Sequence, residues 1–142
     1  CLDLCPANAI TSNGDYVSID PYICAGCGNC SSVCPSGAAQ YNDPPLDFIL
    51  ERMKKLSSTF KKYENKILPR LLFMDDLFGK ELISIVARYG RGLPADLIPI
   101  NIPNIEMISH AEILASFACG FSEVLILKND NKSPISLNLQ IV

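Results

Sequence analysis

Apolar residues recur at three- and four-residue steps between residues 46 and 63, directly after the pair Pro44-Pro45. The lysines Lys54, Lys55, Lys61 and Lys62 occupy the other faces. This spacing predicts an amphipathic helix of about 18 residues whose start is marked by Asp43 and the two prolines. We expect this segment, residues 44–66, to be an amphipathic linker helix. Its apolar positions are Leu46, Ile49, Leu50, Met53, Leu56, Phe60 and Tyr63.

From residue 67 onwards, apolar runs typical of strands alternate with helical periodicity. The first predicted helix ends at Gly90, and the second begins with the capping box formed by Ser109 and Glu112. Such alternation implies parallel strands joined by right-handed crossovers, so residues 67–142 are predicted to form a small α/β (βαβαβ) parallel-sheet domain. The predicted strands are 67–75, 95–102, 122–128 and 135–142, and the predicted helices are 77–90 and 109–120.

A shorter pattern of a different kind precedes these elements. The stretch AITSNGDYVSID, residues 9–20, alternates around Asn13-Gly14. Asn-Gly between two short alternating runs is a strong signal for a β-hairpin. We therefore predict two antiparallel strands within residues 1–43.

Charge is distributed unevenly along the chain, although the formal net charge of the 142 residues is only −3. Residues 1–44 contain four aspartates and no lysine or arginine, whereas residues 45–70 contain seven basic and three acidic side chains. One short basic run in an acidic chain gives little support to nucleic-acid binding. No apolar stretch approaches the ~20 residues of a membrane helix.

The cysteines carry the chemical signal. Six of the seven lie within the first 34 residues, at spacings too tight for unstrained disulfides. Cys24, Cys27, Cys30 and Cys34, followed by Pro35, form a C-x2-C-x2-C-x3-C-P run. A zinc site usually takes two close pairs from separate loops, and unligated structural cysteines leave the regular spacing unexplained. The spacing instead predicts [4Fe–4S] clusters.

The chain opens with a second, shorter version of this pattern. Cys1 and Cys5, with Pro6 directly after, repeat the spacing of the third and fourth cysteines of such a run. We expect the first two cysteines of that run to lie upstream, so that the sequence begins inside a cluster motif. It could be truncated at Val142 as well.

On these motifs, residues 1–41 resemble most of a dicluster bacterial-type ferredoxin, which implies an α+β ferredoxin-like domain over residues 1–43. In that family the fourth cysteine of each run binds the other cluster. The resemblance implies one complete cluster bound by Cys5, Cys24, Cys27 and Cys30. It also implies that Cys1 and Cys34 bind part of a second cluster, so that the full-length protein holds two.

The rest of the chain carries a further resemblance. The stretches PRLLFMDD, ARYGRGLPADLIPI and HAEILASFACGF are similar to iron–sulfur proteins encoded beside formate dehydrogenases. The α/β part is distantly similar to the delta subunit of methyl-viologen-reducing hydrogenase. That subunit has its own cluster cysteines, whereas residues 67–142 contain only Cys119. The resemblance implies a redox protein partner, with formate dehydrogenase one such partner.

Several polar residues follow the predicted strands, at the edge where parallel α/β sheets bind their ligands. Each has an ordinary structural explanation as well: Asp75 and Asp76 suit a turn, Ser109 caps a helix, and His110, the only histidine, suits a solvent-facing helix start. Cys119 is expected to be a buried structural cysteine. The candidates at this edge are Asp75, Asp76, Asn101, Asn104, Ser109 and His110.

Motifs for nucleotides are absent from the sequence, which has neither G-x-G-x-x-G nor a complete P-loop. Together the patterns predict an electron-transfer protein and no catalytic residues. The alternative is an assembly or redox-sensing partner of an oxidoreductase, in which the clusters are structural. Free thiols at such density predict a cytoplasmic protein.

Overall fold

The computed structural model describes residues 2–64 and 66–129. After a 3-10 turn at Leu2–Leu4, the chain forms a two-stranded antiparallel hairpin of β1, Ile10–Asn13, and β2, Tyr16–Ile19. Asn13 pairs with Tyr16, which leaves Gly14 and Asp15 in the loop. Gly14 has φ 72°, a left-handed conformation that glycine adopts at no steric cost. The hairpin predicted from the Asn-Gly signal is present, with the loop one residue later than the dipeptide.

Two helices follow the hairpin. The first, α1, is a short helix at Asn29–Ser32 that begins inside the cysteine run. The second, α2, spans Leu46–Tyr63 and begins directly after Pro45. Its 18 residues match the predicted length. Its apolar stripe is buried at Ile49 and Met53, while the lysines at 54, 55, 61 and 62 are exposed.

A three-stranded parallel sheet forms the second half of the described chain. The strand order is β4-β3-β5, and β3 pairs with both neighbours, Leu71 lying beside Ile98 and beside Val124. Strands and helices alternate along the chain as the sequence predicts. The elements are β3 at Arg70–Asp75, α3 at Phe78–Tyr89, β4 at Leu97–Ile102, α4 at His110–Ala118 and β5 at Glu123–Ile126.

The main hydrophobic core lies between one face of this sheet and the helices α2 and α4. Leu71 and Phe73 point into it from β3, Met53 from α2 and Ile113 from α4. Leu72 and Met74 are also buried, on the opposite face, where Gly79 of α3 lies against Met74. Both faces of β3 are covered, which explains its continuous apolar sequence.

The predicted capping box of α4 is present. The Ser109 side chain accepts a hydrogen bond from the Ala111 backbone N–H, and the Glu112 carboxylate accepts one from the Ser109 N–H at 2.8 Å. These bonds satisfy backbone donors that the first helical turn leaves without partners. The helix therefore starts where the sequence predicts, directly after the loop that leaves β4.

That loop also contacts the N-terminal part of the chain. It contains a 3-10 turn, Ile105–Met107, and Met107 lies against Gly28 in the cysteine run. The predicted strand at 135–142 lies outside the described residues. The division into units 1–43, 44–66 and 67–142 stays a prediction.

We expect Met53→Ala to lower the free energy of unfolding by about 2–5 kcal/mol, because a fully buried side chain is replaced by a cavity. Phe48→Ala, on the same helix but at a side chain 56% exposed, should cost less than about 0.5 kcal/mol. Urea unfolding followed by circular dichroism measures both values. Equal losses would contradict the packing of α2 on the sheet.

Candidate iron–sulfur centre

The hairpin is followed directly by the cysteine run, residues 24–34. After β2, the Asp20 carboxylate accepts a hydrogen bond from the Tyr22 N–H at 2.8 Å, and the Asp20 carbonyl accepts one from the Cys24 N–H at 2.9 Å. The Asp20 N–H donates to the Ala9 carbonyl across the hairpin at 2.9 Å. The position of Cys24 is therefore tied to both strands.

Two glycines let the run bend back on itself. Gly26 has φ 64° and Gly28 has φ 84°, both in the left-handed region that side chains disfavour. With these turns, Cys24, Cys27 and Cys30 all line a single pocket. Tight loops with a cysteine at every third residue suit a cubane, because each of its irons binds a different thiolate.

Residues near the start of the chain complete the lining of that pocket. Cys5 lines it together with Cys24, Cys27 and Cys30. The other lining residues are mostly small or apolar, so the pocket offers sulfur ligands in a partly dehydrated setting. They are Pro6, Ala7, Ala9, Ile10, Ile19, Ala25, Gly28 and Asn29.

Backbone N–H groups point at three of the sulfur atoms. Ala9 donates to Cys5 Sγ at 3.2 Å, Gly26 to Cys24 Sγ at 3.4 Å, and Ala39 to Cys34 Sγ at 3.4 Å. Such bonds stabilise negative charge on sulfur and are one of the means by which proteins set cluster potentials. The donor set therefore fits an iron–sulfur cluster.

The thiols differ in their acidity. Burial raises the pKa of Cys30, and the neighbouring Cys27 and Cys24 raise it further when charged, against the hydrogen bond from Ser31. Hydrogen bonds lower the pKa of Cys34 to about 7, the Ala39 N–H contributing most and the Ser36 hydroxyl next. Several thiolates can share the pocket only if cationic iron offsets their repulsion.

Cys34 does not line the pocket of the other four cysteines, yet its local geometry repeats that of Cys5. The N–H of each donates to the carbonyl three residues earlier, Leu2 for Cys5 and Ser31 for Cys34, both at 3.3 Å. Each cysteine carbonyl then accepts a bond from the residue three later. Those residues, Asn8 with φ 52° and Gly37 with φ 68°, are both left-handed.

Cys34 thus has the same local backbone geometry in its segment, residues 31–37, as Cys5 has in residues 2–8. Cys1, the expected companion of Cys34, lies outside the described residues. Within residues 2–64 and 66–129, no three His, Cys, Asp or Glu side chains meet closely enough to hold a single metal ion. The assignment of Cys1 and Cys34 to a second cluster stays a prediction.

The cysteine spacing does not predict two further residues that contact the cysteine run. The Tyr41 hydroxyl donates to the Gly26 carbonyl at 2.8 Å, and burial followed by the charges of Cys27, Asp43 and Cys24 raises its pKa. Met107 lies behind Gly28. Nothing in the local sequence indicates that Tyr41, seven residues after Cys34, hydrogen-bonds to the cysteine run. The contact of Met107 with Gly28 depends on the tertiary fold and cannot be predicted from the cysteine spacing.

The polar residues predicted at the sheet edge are partly brought together. Asn101 donates to Asp76 at 2.6 Å and accepts from Arg52 of α2 at 3.0 Å. The Asp75 carboxylate accepts from the Gly79 N–H at 2.8 Å and so caps the start of α3. Each of these hydrogen bonds gives its residue a structural role. The side chains of Asp75, Asp76 and Asn101 therefore each already have a partner within the protein.

The remaining candidates at this edge have local roles. Asn104 accepts a bond from the Glu106 N–H at 3.1 Å, Ser109 belongs to the capping box, and His110 is exposed. Cys119 is half-buried rather than buried. It borders a separate cavity of about 430 Å³ between α2 and α4, where the Ser57 hydroxyl donates to its carbonyl at 2.7 Å.

The hairpin, the cysteine run and the four cysteines that line one pocket are the features of an iron–sulfur protein. Residues 1–38 match the family model described as a 4Fe-4S dicluster domain. The chain is also 40% identical over 62 residues to a protein named Ferredoxin 7Fe from Hydrogenibacillus schlegelii, a match covering 44% of this chain and 80% of that one. The chain belongs to the ferredoxins and binds [4Fe–4S] clusters.

Longer relatives share only this part. Hydrogenase-4 component A of Escherichia coli is 45% identical over 38 residues, covering 27% of this chain and 18% of that protein. The B subunit of anaerobic dimethyl sulfoxide reductase, also from Escherichia coli, is 41% identical over 44 residues, covering 30% and 22%. The match thus spans about a fifth of each of these two relatives.

No solved structure matches the chain. Among the residues that the structure describes, no helix is long and apolar enough to cross a membrane.

We expect Cys27→Ser to bind little or no iron, because a cubane iron would lose its thiolate. Cys119→Ser, outside the pocket, is the matched control and should keep the iron content of the parent chain. Iron and acid-labile sulfide assays after anaerobic reconstitution measure both. Equal iron loss in the two variants would contradict the assignment of Cys27 as a ligand.

Proposed function

We propose that this protein passes single electrons through its [4Fe–4S] clusters between a dehydrogenase and another redox carrier. The observation that carries the proposal is the pocket lined by Cys5, Cys24, Cys27 and Cys30. These cysteines come from two segments separated by a hairpin, and all four line one pocket, as the ligands of a cubane do.

The protein contributes to this function by binding the cluster and by limiting its contact with water. Cys5, Cys24, Cys27 and Cys30 supply the four thiolates, while the buried Ala9 and Ile10 limit the access of water. The bound cluster supplies reversible one-electron chemistry, its potential set by hydrogen bonds to sulfur, burial and charge. Electron transfer of this kind requires no catalytic side chain.

A second cluster is assigned to Cys34 and Cys1. The support is the backbone geometry that Cys34 shares with Cys5, since equivalent cysteines of the two runs bind opposite clusters in dicluster ferredoxins. Two clusters in one protein let an electron enter at one and leave at the other. Free thiolates in this number suit a reducing compartment, and we assign the protein to the cytoplasm.

The partner is proposed to be a multisubunit oxidoreductase. Two relatives are named as a component of a hydrogenase and a subunit of a dimethyl sulfoxide reductase, so related domains occur in proteins with such names. Formate dehydrogenase is the donor we would test first, on the resemblance carried by the downstream stretches such as PRLLFMDD.

Charge supports two docking surfaces on the chain. The aspartates Asp3, Asp15 and Asp43 are exposed within residues 2–43, the segment that contains the cysteine pocket, whereas the exposed lysines at 54, 55, 61 and 62 lie on α2. An acidic surface near a cluster attracts a basic patch on a partner and raises the rate of encounter. The lysines offer a surface of the opposite sign for a second partner.

One observation favours the alternative, an assembly or redox-sensing role with structural clusters. Leu114 and Phe117 of α4 are 67% and 47% exposed. Exposed apolar side chains on one helix suit a lasting interface more than a transient electron-transfer contact.

Mixing the reconstituted protein with formate dehydrogenase and formate separates the two functions. Rapid bleaching of the cluster absorbance, reversed by a redox dye, is the result expected of an electron carrier. Binding to the enzyme without bleaching would contradict electron transfer and favour the assembly role. A dehydrogenase inactivated at its own active site is the control.

The rate of reduction by the partner should fall about tenfold or more as salt rises from low to high concentration, because salt screens long-range attraction. The double variant Asp3→Asn/Asp15→Asn should lose much of the low-salt rate. Glu81→Gln, a charge change at an exposed position of α3, should not. Stopped-flow absorbance measures the rates, and rates independent of salt would contradict steering by the acidic surface.

A further inference from the structure

The cysteine loop is supported from behind by the loop that follows β4. A Cβ added at Gly28 would lie 2.5 Å from Met107 Cβ and 2.8 Å from Met107 Cα. These distances are shorter than any ordinary contact, so the two backbones touch at van der Waals distance. Gly28 also lines the pocket of the four cysteines.

Met107 connects this contact to the core of the sheet. Its side chain is 4% exposed and belongs to the same cluster as Phe73 and Ile102. The neighbouring Asn29, at the start of α1, is 7% exposed. The back of the cysteine loop is therefore packed as tightly as a protein interior, and it cannot move without disturbing the core.

Tyr41 holds the other side of the loop. Its hydroxyl donates to the Gly26 carbonyl at 2.8 Å, and its ring packs against the same core. The N–H of Gly26 donates to Cys24 Sγ at 3.4 Å. Gly26 thus accepts a hydrogen bond from the Tyr41 hydroxyl on its carbonyl and donates one to the sulfur of Cys24 through its N–H.

We propose that Met107 and Tyr41 are positioning residues that set the reduction potential of the cluster held by Cys5, Cys24, Cys27 and Cys30. They do so by fixing the loop at Gly28 and at Gly26, and thereby the direction of N–H groups and the access of water at the sulfurs. Both influences change cluster potentials. The inference rests on the proposed function, since it requires a cluster in this pocket.

The test compares variants of the reconstituted chain, each with a matched control. Met107→Ala is paired with Met53→Ala, which truncates the same residue type, fully buried in the same core but on α2. Tyr41→Phe is paired with Tyr22→Phe, at a side chain 98% exposed. Redox titration followed by EPR gives the midpoint potential, and a ferrous chelator gives the rate of iron release.

Met107→Ala and Tyr41→Phe should shift the midpoint potential, and Met107→Ala should release iron about tenfold faster than the parent chain. Met53→Ala and Tyr22→Phe should keep the parent potential. Met107→Leu, which restores most of the volume, should recover the parent potential. If Met107→Ala fails to fold, Tyr41→Phe measured against Tyr22→Phe decides the question, because it removes one hydroxyl and almost no core volume. An unchanged potential in Tyr41→Phe would then overturn the inference.

An intact cluster with unchanged potential in both Met107→Ala and Tyr41→Phe would overturn the inference. Equal shifts in Met107→Ala and Met53→Ala would overturn it too, because they would trace the effect to general loss of core stability. A parent chain with no reducible cluster would instead overturn the proposed function itself, and that result is seen before any variant is made.

Discussion

The arrangement of this protein depends on bringing Cys5 to the pocket lined by Cys24, Cys27 and Cys30. Thiolates repel one another when charged, and burial opposes their ionisation, as the raised pKa of Cys30 shows. The chain must therefore hold these groups together by other means until iron compensates the charge. The hairpin between them does this, with hydrogen bonds from Asp20 to Ala9 and from Cys24 to Asp20.

The parallel sheet supplies the second constraint. A short loop with two left-handed glycines has little stability of its own, since glycine loses the most conformational freedom on folding. Here Gly28 rests on Met107, and Met107 is part of a core shared by β3, β4, α2 and α4. The cysteine run and the sheet are thus joined at the contact of Gly28 with Met107.

Much of this architecture was predictable because its causes are local. Cysteine spacing indicates the cluster type, helical periodicity predicts α2, and Ser109 with Glu112 marks the start of α4. The roles of Tyr41 and Met107 were not predictable, because they depend on contacts between segments distant in sequence. The same is true of Asn101, whose partners Arg52 and Asp76 come from two other segments.

The most direct test of the account is an EPR spectrum of the anaerobically reconstituted chain after reduction with dithionite, together with iron, sulfide and zinc contents. The account predicts at least about four irons per chain and a reduced-cluster signal, from the pocket of Cys5, Cys24, Cys27 and Cys30. About one zinc per chain without a reducible signal would contradict it, and would make the pocket a structural metal site.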